Sequence, residues 1–254
     1  MVQLTDIVSL LLLGEDEVFL GSTFPINEAH RLYLGAAHSI PEGREGELRI
    51  MALHDSGLKV TRVTEVEVLA DHPDVVALQA EQGLPLHSKL AADEAYVWER
   101  VCAVGYPEMD MRELESGQLA PDVRGLVGSV TRKVEAGQIP KIQASAYEVS
   151  FPIPNGMSGG PVFVMDVGVQ RSLVGVCLGS RSVSSTLYYE EVETSDVGRK
   201  TLQESRIIEY GVVANLRRYA DQPIGLVGKS LRQLMGSEAG QTSAGWTNEV
   251  QPEE

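Results

Sequence analysis

Short apolar segments separated by polar or glycine-rich turns run through most of the chain. Ile7 to Leu13 and Val18 to Phe24 flank the acidic turn Gly14-Glu15-Asp16-Glu17 and predict two β-strands. Arg31 to Ala37, Leu48 to Leu53, Leu58 to Thr61, Val63 to Ala70 and Val75 to Ala80 continue the series, with a turn at Asp55-Ser56-Gly57. Val63 to Ala70 alternates apolar and polar residues, as a half-buried strand does. About six strands before residue 85 are enough for one small barrel.

Gly83 to Ala95, with Pro85 and several polar residues, reads as a link. Beyond it, Val97–Val104, Gly125–Arg132, Ala146–Phe151, Pro161–Asp166, Ser172–Leu178 and Ile207–Leu216 predict about six further strands. Residues 107–124 read as a loop, and 181–206 as a long polar insertion without a period, a segment length that signals function or mobility. Leu226 to Met235 has helical spacing. Residues 237–254 are polar and acid-ended, a composition that predicts disorder. The expected fold class is all-β: two six-stranded antiparallel barrels (1–85 and 96–220) within one domain over 1–236, closed by a short C-terminal helix.

Composition narrows the function. The net charge of −15, from 36 acidic and 21 basic residues, repels polyanions and anionic lipid. Neither a nucleic-acid nor a membrane partner is therefore expected. Two cysteines, Cys102 and Cys177, fit a reducing compartment better than a disulfide framework. No basic region precedes the short apolar run Leu10 to Leu13, and no stretch reaches the ~18 apolar residues of a membrane-spanning helix. A cytoplasmic protein is the expectation.

The chemistry concentrates at Asn155-Gly156-Met157-Ser158-Gly159-Gly160-Pro161-Val162. A nucleophilic serine needs an exposed hydroxyl, a base, and donors for the oxyanion that forms. Glycines on either side permit backbone conformations closed to other residues, so the Gly156 and Ser158 amides can point to one spot. This Gly-x-Ser-Gly-Gly-Pro run resembles the nucleophile motif of trypsin/chymotrypsin-like serine peptidases. Leu34-Gly35-Ala36-Ala37-His38 resembles the family's Thr-Ala-Ala-His segment, with Gly35 in place of threonine. His30, His54, His72 and His87 lack such a context and read as surface residues.

Weaker matches extend the resemblance over about residues 7 to 220: Gly21-Ser22-Thr23-Phe24, Gly105-Tyr106-Pro107, Val174-Gly175-Val176-Cys177-Leu178-Gly179 and Tyr210-Gly211-Val212. The resemblance implies a triad in the order His38, acid, Ser158. Asp74, heading Asp74-Val75-Val76-Ala77-Leu78, is the candidate acid, and Asp71 the fallback. A shift of one residue would leave the triad without an acid. A metal site built from Asp71, His72 and Asp74 is disfavoured, because neighbouring strand positions alternate faces.

The implied activity is peptide-bond hydrolysis through an acyl-enzyme, without a cofactor and on a protein or peptide substrate. Ser158 attacks, His38 carries the proton, Asp74 orients His38, and the Gly156 and Ser158 amides hold the oxyanion. Met157 stands where activated relatives carry an aspartate that binds a new N-terminus, so zymogen cleavage is not expected. The implied substrate pocket is walled by Pro152 to Pro154, Leu178, Gly179, Ser180 and Gly211, and without an acid it suits a small or apolar side chain. Cys177 falls behind that pocket and reads as a buried, inert thiol. Two other readings stand beside this one. One is a catalytically silent trypsin-like binding module. The other is a peptidase idle until an activating protein partner orders its loops, which a distorted turn at 155–158 would betray.

Overall fold

A computed structural model describes residues 4–54, 57–85, 88–108, 111–113, 119–165, 172–194 and 198–238. The expected turn residues Asp55 and Ser56, His87, Asp166 and the tail from 239 lie outside the described residues.

Strands β1 (Ser9–Leu13), β2 (Val18–Asn27), β3 (Leu32–Ala36), β4 (Leu48–His54), β5 (Gly57–Leu69) and β6 (His72–Ala80) form a closed barrel in the order β1-β2-β3-β6-β5-β4. The segment expected as two strands, Leu58–Thr61 and Val63–Ala70, is the single strand β5, with a bulge between Val63 and Glu65. Several strands are apolar at consecutive positions because both faces are covered. In β1, Leu11 and Leu13 point into the barrel core, while Leu10 and Leu12 join the cluster shared with the second half of the chain. The same split divides Tyr33 from Leu32 and Leu34 on β3, and Val76 and Leu78 from Val75 and Ala77 on β6. Side chains alternate along a strand, so one run serves two cores.

The second half contains β7 (Lys89–Leu90), β8 (Arg100–Gly105), β9 (Met111–Glu113), β10 (Leu119–Pro121), β11 (Arg124–Val134), β12 (Ala146–Val149), β13 (Pro161–Val164), β14 (Ser172–Thr194) and β15 (Gly198–Asn215). The expected second six-stranded barrel is, in the structure, a seven-stranded sheet ordered β13-β8-β11-β12-β15-β14-β7, with an additional β13–β14 pairing. The seventh strand, β7, comes from the expected link; it pairs in parallel with the start of β14, Ser172 opposite Lys89. Within the region expected as the loop 107–124, β9 and β10 pair as a small antiparallel sheet.

The largest departure is at 181–206. Residues 181–194 and 198–206 are the distal part of an antiparallel ribbon in which β14 and β15 pair from Gly175–Asn215 out to Thr194–Gly198. Its Thr, Val and Tyr residues suit an extended backbone. Periodicity marks one face buried against a core, and Ile207, at 69% exposure, has no such cover.

After β16 (Pro223–Ile224) and β17 (Lys229–Ser230), helix α1 spans Leu231–Glu238. It starts later than the expected Leu226 because Ser230 and Gln233 form a capping box. The Gln233 N–H donates to Ser230 Oγ at 3.3 Å, and the Ser230 N–H donates to Gln233 Oε1 at 2.9 Å. Ser237 and Glu238, expected in a disordered tail, are its last residues. Leu231, Leu234 and Met235 pack into the cluster between the two halves, and Asn27 Nδ2 donates to the Leu234 carbonyl at 2.9 Å. Among the described residues no helix is long and apolar enough to cross a membrane.

Candidate active site

The candidate residues lie where the two halves meet. β3 and β6 pair with Ala36 opposite Val75 and Gly35 opposite Val76. The next residues outward are Ala37 and Asp74, so the register brings Asp74 to the end of the barrel where His38 sits in a short 3-10 turn, Ala37–Ser39. His38 and Asp74 line the same groove, of about 980 Å³. Asp71 does not. It is exposed in the turn between β5 and β6 and lines a separate cavity with His72 and Tyr219. Of the two carboxylates, geometry favours Asp74.

The Asp74 carboxylate is anchored across the groove. Its Oδ2 accepts the N–H of Gln143 at 2.9 Å and of Ala144 at 3.1 Å. Among the described residues the His38 ring donates no hydrogen bond to Asp74 and receives none from Ser158. Partial desolvation in the groove lowers the His38 pKa below the ordinary histidine value, outweighing the opposite pull of the Asp74 charge. His38 is therefore held in its neutral, proton-accepting form at neutral pH.

The Ser158 turn is fixed on several sides. The Ser22 N–H donates to the Ser158 carbonyl at 2.8 Å, and Ser22 Oγ donates to the Gly156 carbonyl at 2.8 Å while accepting the Tyr106 N–H at 2.9 Å. The Met157 N–H closes a turn onto the Pro154 carbonyl at 3.1 Å, and the Gly159 N–H donates to the Cys177 carbonyl at 2.8 Å. Gly156 has φ +88, and a Cβ there would lie 2.5 Å from the Tyr106 carbonyl oxygen. Gly159 has the same φ, and a Cβ there would overlap the Ser22 carbonyl oxygen. Both positions require glycine.

The Asn155 carbonyl accepts the Glu108 N–H at 2.8 Å. In a trans peptide C=O and N–H point opposite ways, so the Gly156 N–H faces away from Glu108. Neither it nor the Ser158 N–H donates to a described residue. This turn presents donors rather than a carbonyl, which is the arrangement an oxyanion needs. Ser158 Oγ is partly exposed and donates to the Leu178 carbonyl at 3.4 Å. Met157 is fully buried in the core of the second sheet, so a hydrophobic contact stands where an aspartate would need a charged partner.

The residues expected to wall one pocket divide into two groups. Leu178, Gly179 and Ser180 line the groove that holds His38 and Asp74. Pro152 and Gly211 do not: Pro152 is exposed, and Gly211 packs against the chain before the Ser158 turn, its N–H donating to the Phe151 carbonyl at 2.7 Å. The opposite groove wall, Gln138 to Gln143, carried no sequence signal beyond Pro140. Ser22 was visible only as part of a matched segment, and its bridging role depends on residues more than eighty positions away.

Among the described residues no group of three or more His, Cys, Asp or Glu is arranged to hold a metal ion. No disulfide joins Cys102 and Cys177, and complete burial pushes the Cys177 thiol pKa up, which suits an inert thiol. His72, expected on the surface, is fully buried, neither ring nitrogen makes a well-formed hydrogen bond among the described residues, and its ring lies edge-on to Tyr219 at 4.5 Å.

The sequence matches no family model and no curated protein. Its backbone is similar to solved protease structures. A serine-to-alanine mutant of Rv3671c from M. tuberculosis H37Rv, in an inactive form, is 16% identical with a TM-score of 0.52, covering 95% of this chain and 90% of that one. Rv3671c protease in its inactive form gives 16%, 0.50, 83% and 84%. The MamO protease domain from Magnetospirillum magneticum, in its apo form, gives 15%, 0.53, 85% and 94%. With this likeness and a closed six-stranded barrel set against a second antiparallel β unit, the chain has the trypsin-like serine protease fold.

Proposed function

We propose that this chain is a serine endopeptidase working through an acyl-enzyme, in which the second sheet serves as the second barrel of a double-barrel peptidase. Ser158 attacks the substrate carbonyl and passes its proton to His38. Asp74 steadies the imidazolium, and the Gly156 and Ser158 amides bind the oxyanion. His38 then gives the proton to the leaving amine, and water releases the acyl group by the same path. The observation that carries this reading is the turn at 155–158, whose carbonyl is tied to Glu108 while its amides are left for a ligand. A collapsed turn would have favoured the reading of a peptidase idle until a partner orders its loops.

A second reading is favoured by a different observation. Asp74 is bonded to the 143–144 backbone and His38 to neither partner, so the relay is unlinked. Catalytic hydrogen bonds commonly tighten only when substrate binds. An activating protein partner that moved the 138–144 segment would do the same. Peptide hydrolysis by the purified chain, abolished by Ser158→Ala, tests the first reading. Hydrolysis that appears only with an added partner would favour the second.

A further inference from the structure

We infer that the residue whose carbonyl Ser158 attacks has a side chain no larger than a methyl group, that is, glycine or alanine. This rests on the peptidase reading and adds the substrate class to it. With the carbonyl held by the Gly156 and Ser158 amides, the resemblance implies that this side chain projects between two segments, Pro152 to Pro154 before the turn and Leu178 to Ser180 on β14. In this chain the space between them is closed.

Three contacts close it. Ser180 Oγ accepts the Ile153 N–H at 2.6 Å and donates to the Ile153 carbonyl at 2.9 Å, so one hydroxyl bridges the two walls. The Gly211 N–H donates to the Phe151 carbonyl at 2.7 Å and draws the floor against the first wall. The Ile153 side chain, 2% exposed, fills what remains: a Cβ on Gly211 would lie 2.8 Å from Ile153 Cγ1 and 2.7 Å from Val149 Cγ2. The open groove runs along this same stretch of β14. A Cβ on Gly179 would meet nothing within 4 Å, and the groove runs from there along Arg181 and Ser182 to Lys141. Recognition therefore rests on substrate residues lying in that groove, while the attacked residue meets a packed wall. A larger side chain would have to break both Ser180 hydrogen bonds and displace Ile153.

The test uses peptidyl diphenyl phosphonates that differ only in the residue bonded to phosphorus. Ser158 Oγ displaces one phenoxide, its proton passing through His38, and the rate is read as protection against a fluorescent alkyl fluorophosphonate. The alanine analogue is expected to react ~100-fold or more faster than the leucine, phenylalanine and arginine analogues. Ile153→Ala should gain reactivity toward the leucine analogue, and the wild-type series decides the matter if that variant does not fold. Equal or faster reaction of the phenylalanine or arginine analogue would overturn this inference alone. Wild type that the alkyl fluorophosphonate leaves unlabelled would overturn the peptidase reading and this inference with it.

Discussion

The Glu108 N–H holds the Asn155 carbonyl at 2.8 Å, and across the trans peptide that bond turns the next amide, Gly156, away from Glu108. The residue after the carbonyl must be glycine, because its φ is +88 and a Cβ would sit 2.5 Å from the Tyr106 oxygen and 2.7 Å from the Glu108 nitrogen. Gly156→Ala is therefore expected to rotate this peptide and remove one oxyanion donor. The expected loss in kcat is ~100-fold or more. Steady-state kinetics checks it, with circular dichroism to confirm that the variant is folded. A variant retaining full activity would place the oxyanion site elsewhere.

Asp74 and Asp71 separate cleanly by substitution. Asn at position 74 can still accept the Gln143 and Ala144 N–H groups through its carbonyl oxygen, so Asp74→Asn should fold normally. It would lack the charge that stabilises the His38 imidazolium, and kcat/KM should fall by roughly 10³- to 10⁴-fold. Asp71→Asn should leave kcat/KM unchanged, since Asp71 lies outside the groove. The reverse pattern in kcat/KM would assign the acid to Asp71.

Much of the barrel was legible because its strands are short, apolar and punctuated by turns. The candidate catalytic residues were legible for a different reason: Gly-x-Ser-Gly-Gly and Ala-Ala-His are local solutions to local backbone demands, so each is written in consecutive residues. What stayed hidden depends on distant partners. The segment 181–206 has no clear period in the sequence, and the Ser180 bridge to Ile153 joins residues 27 positions apart. His72 looks like any polar turn residue until Tyr219 is packed over it.

His72 gives the fold an acid-sensitive point. Burial lowers its pKa from 6.5 to about 4, outweighing the opposite pull of the nearby Asp74 charge. Below pH 6.5 the unfolded chain takes up a proton that the folded chain refuses, so stability is complete above 6.5 and declines as pH falls toward 4. The loss over that window is about 3 kcal/mol. Urea denaturation at pH 7 and pH 4.5 should show it, and His72→Leu should flatten that part of the pH dependence. An unchanged slope in the variant would assign the acid sensitivity to other groups.

The most direct test of the account is whether Ser158 is an activated nucleophile. The purified protein, beside a Ser158→Ala control, is treated with a fluorophosphonate probe, in which the serine oxygen displaces fluoride from phosphorus. The account predicts labelling of wild type and none of the variant, with the mass of the phosphonyl adduct on the peptide carrying Ser158. A folded wild-type protein that stays unlabelled would contradict it.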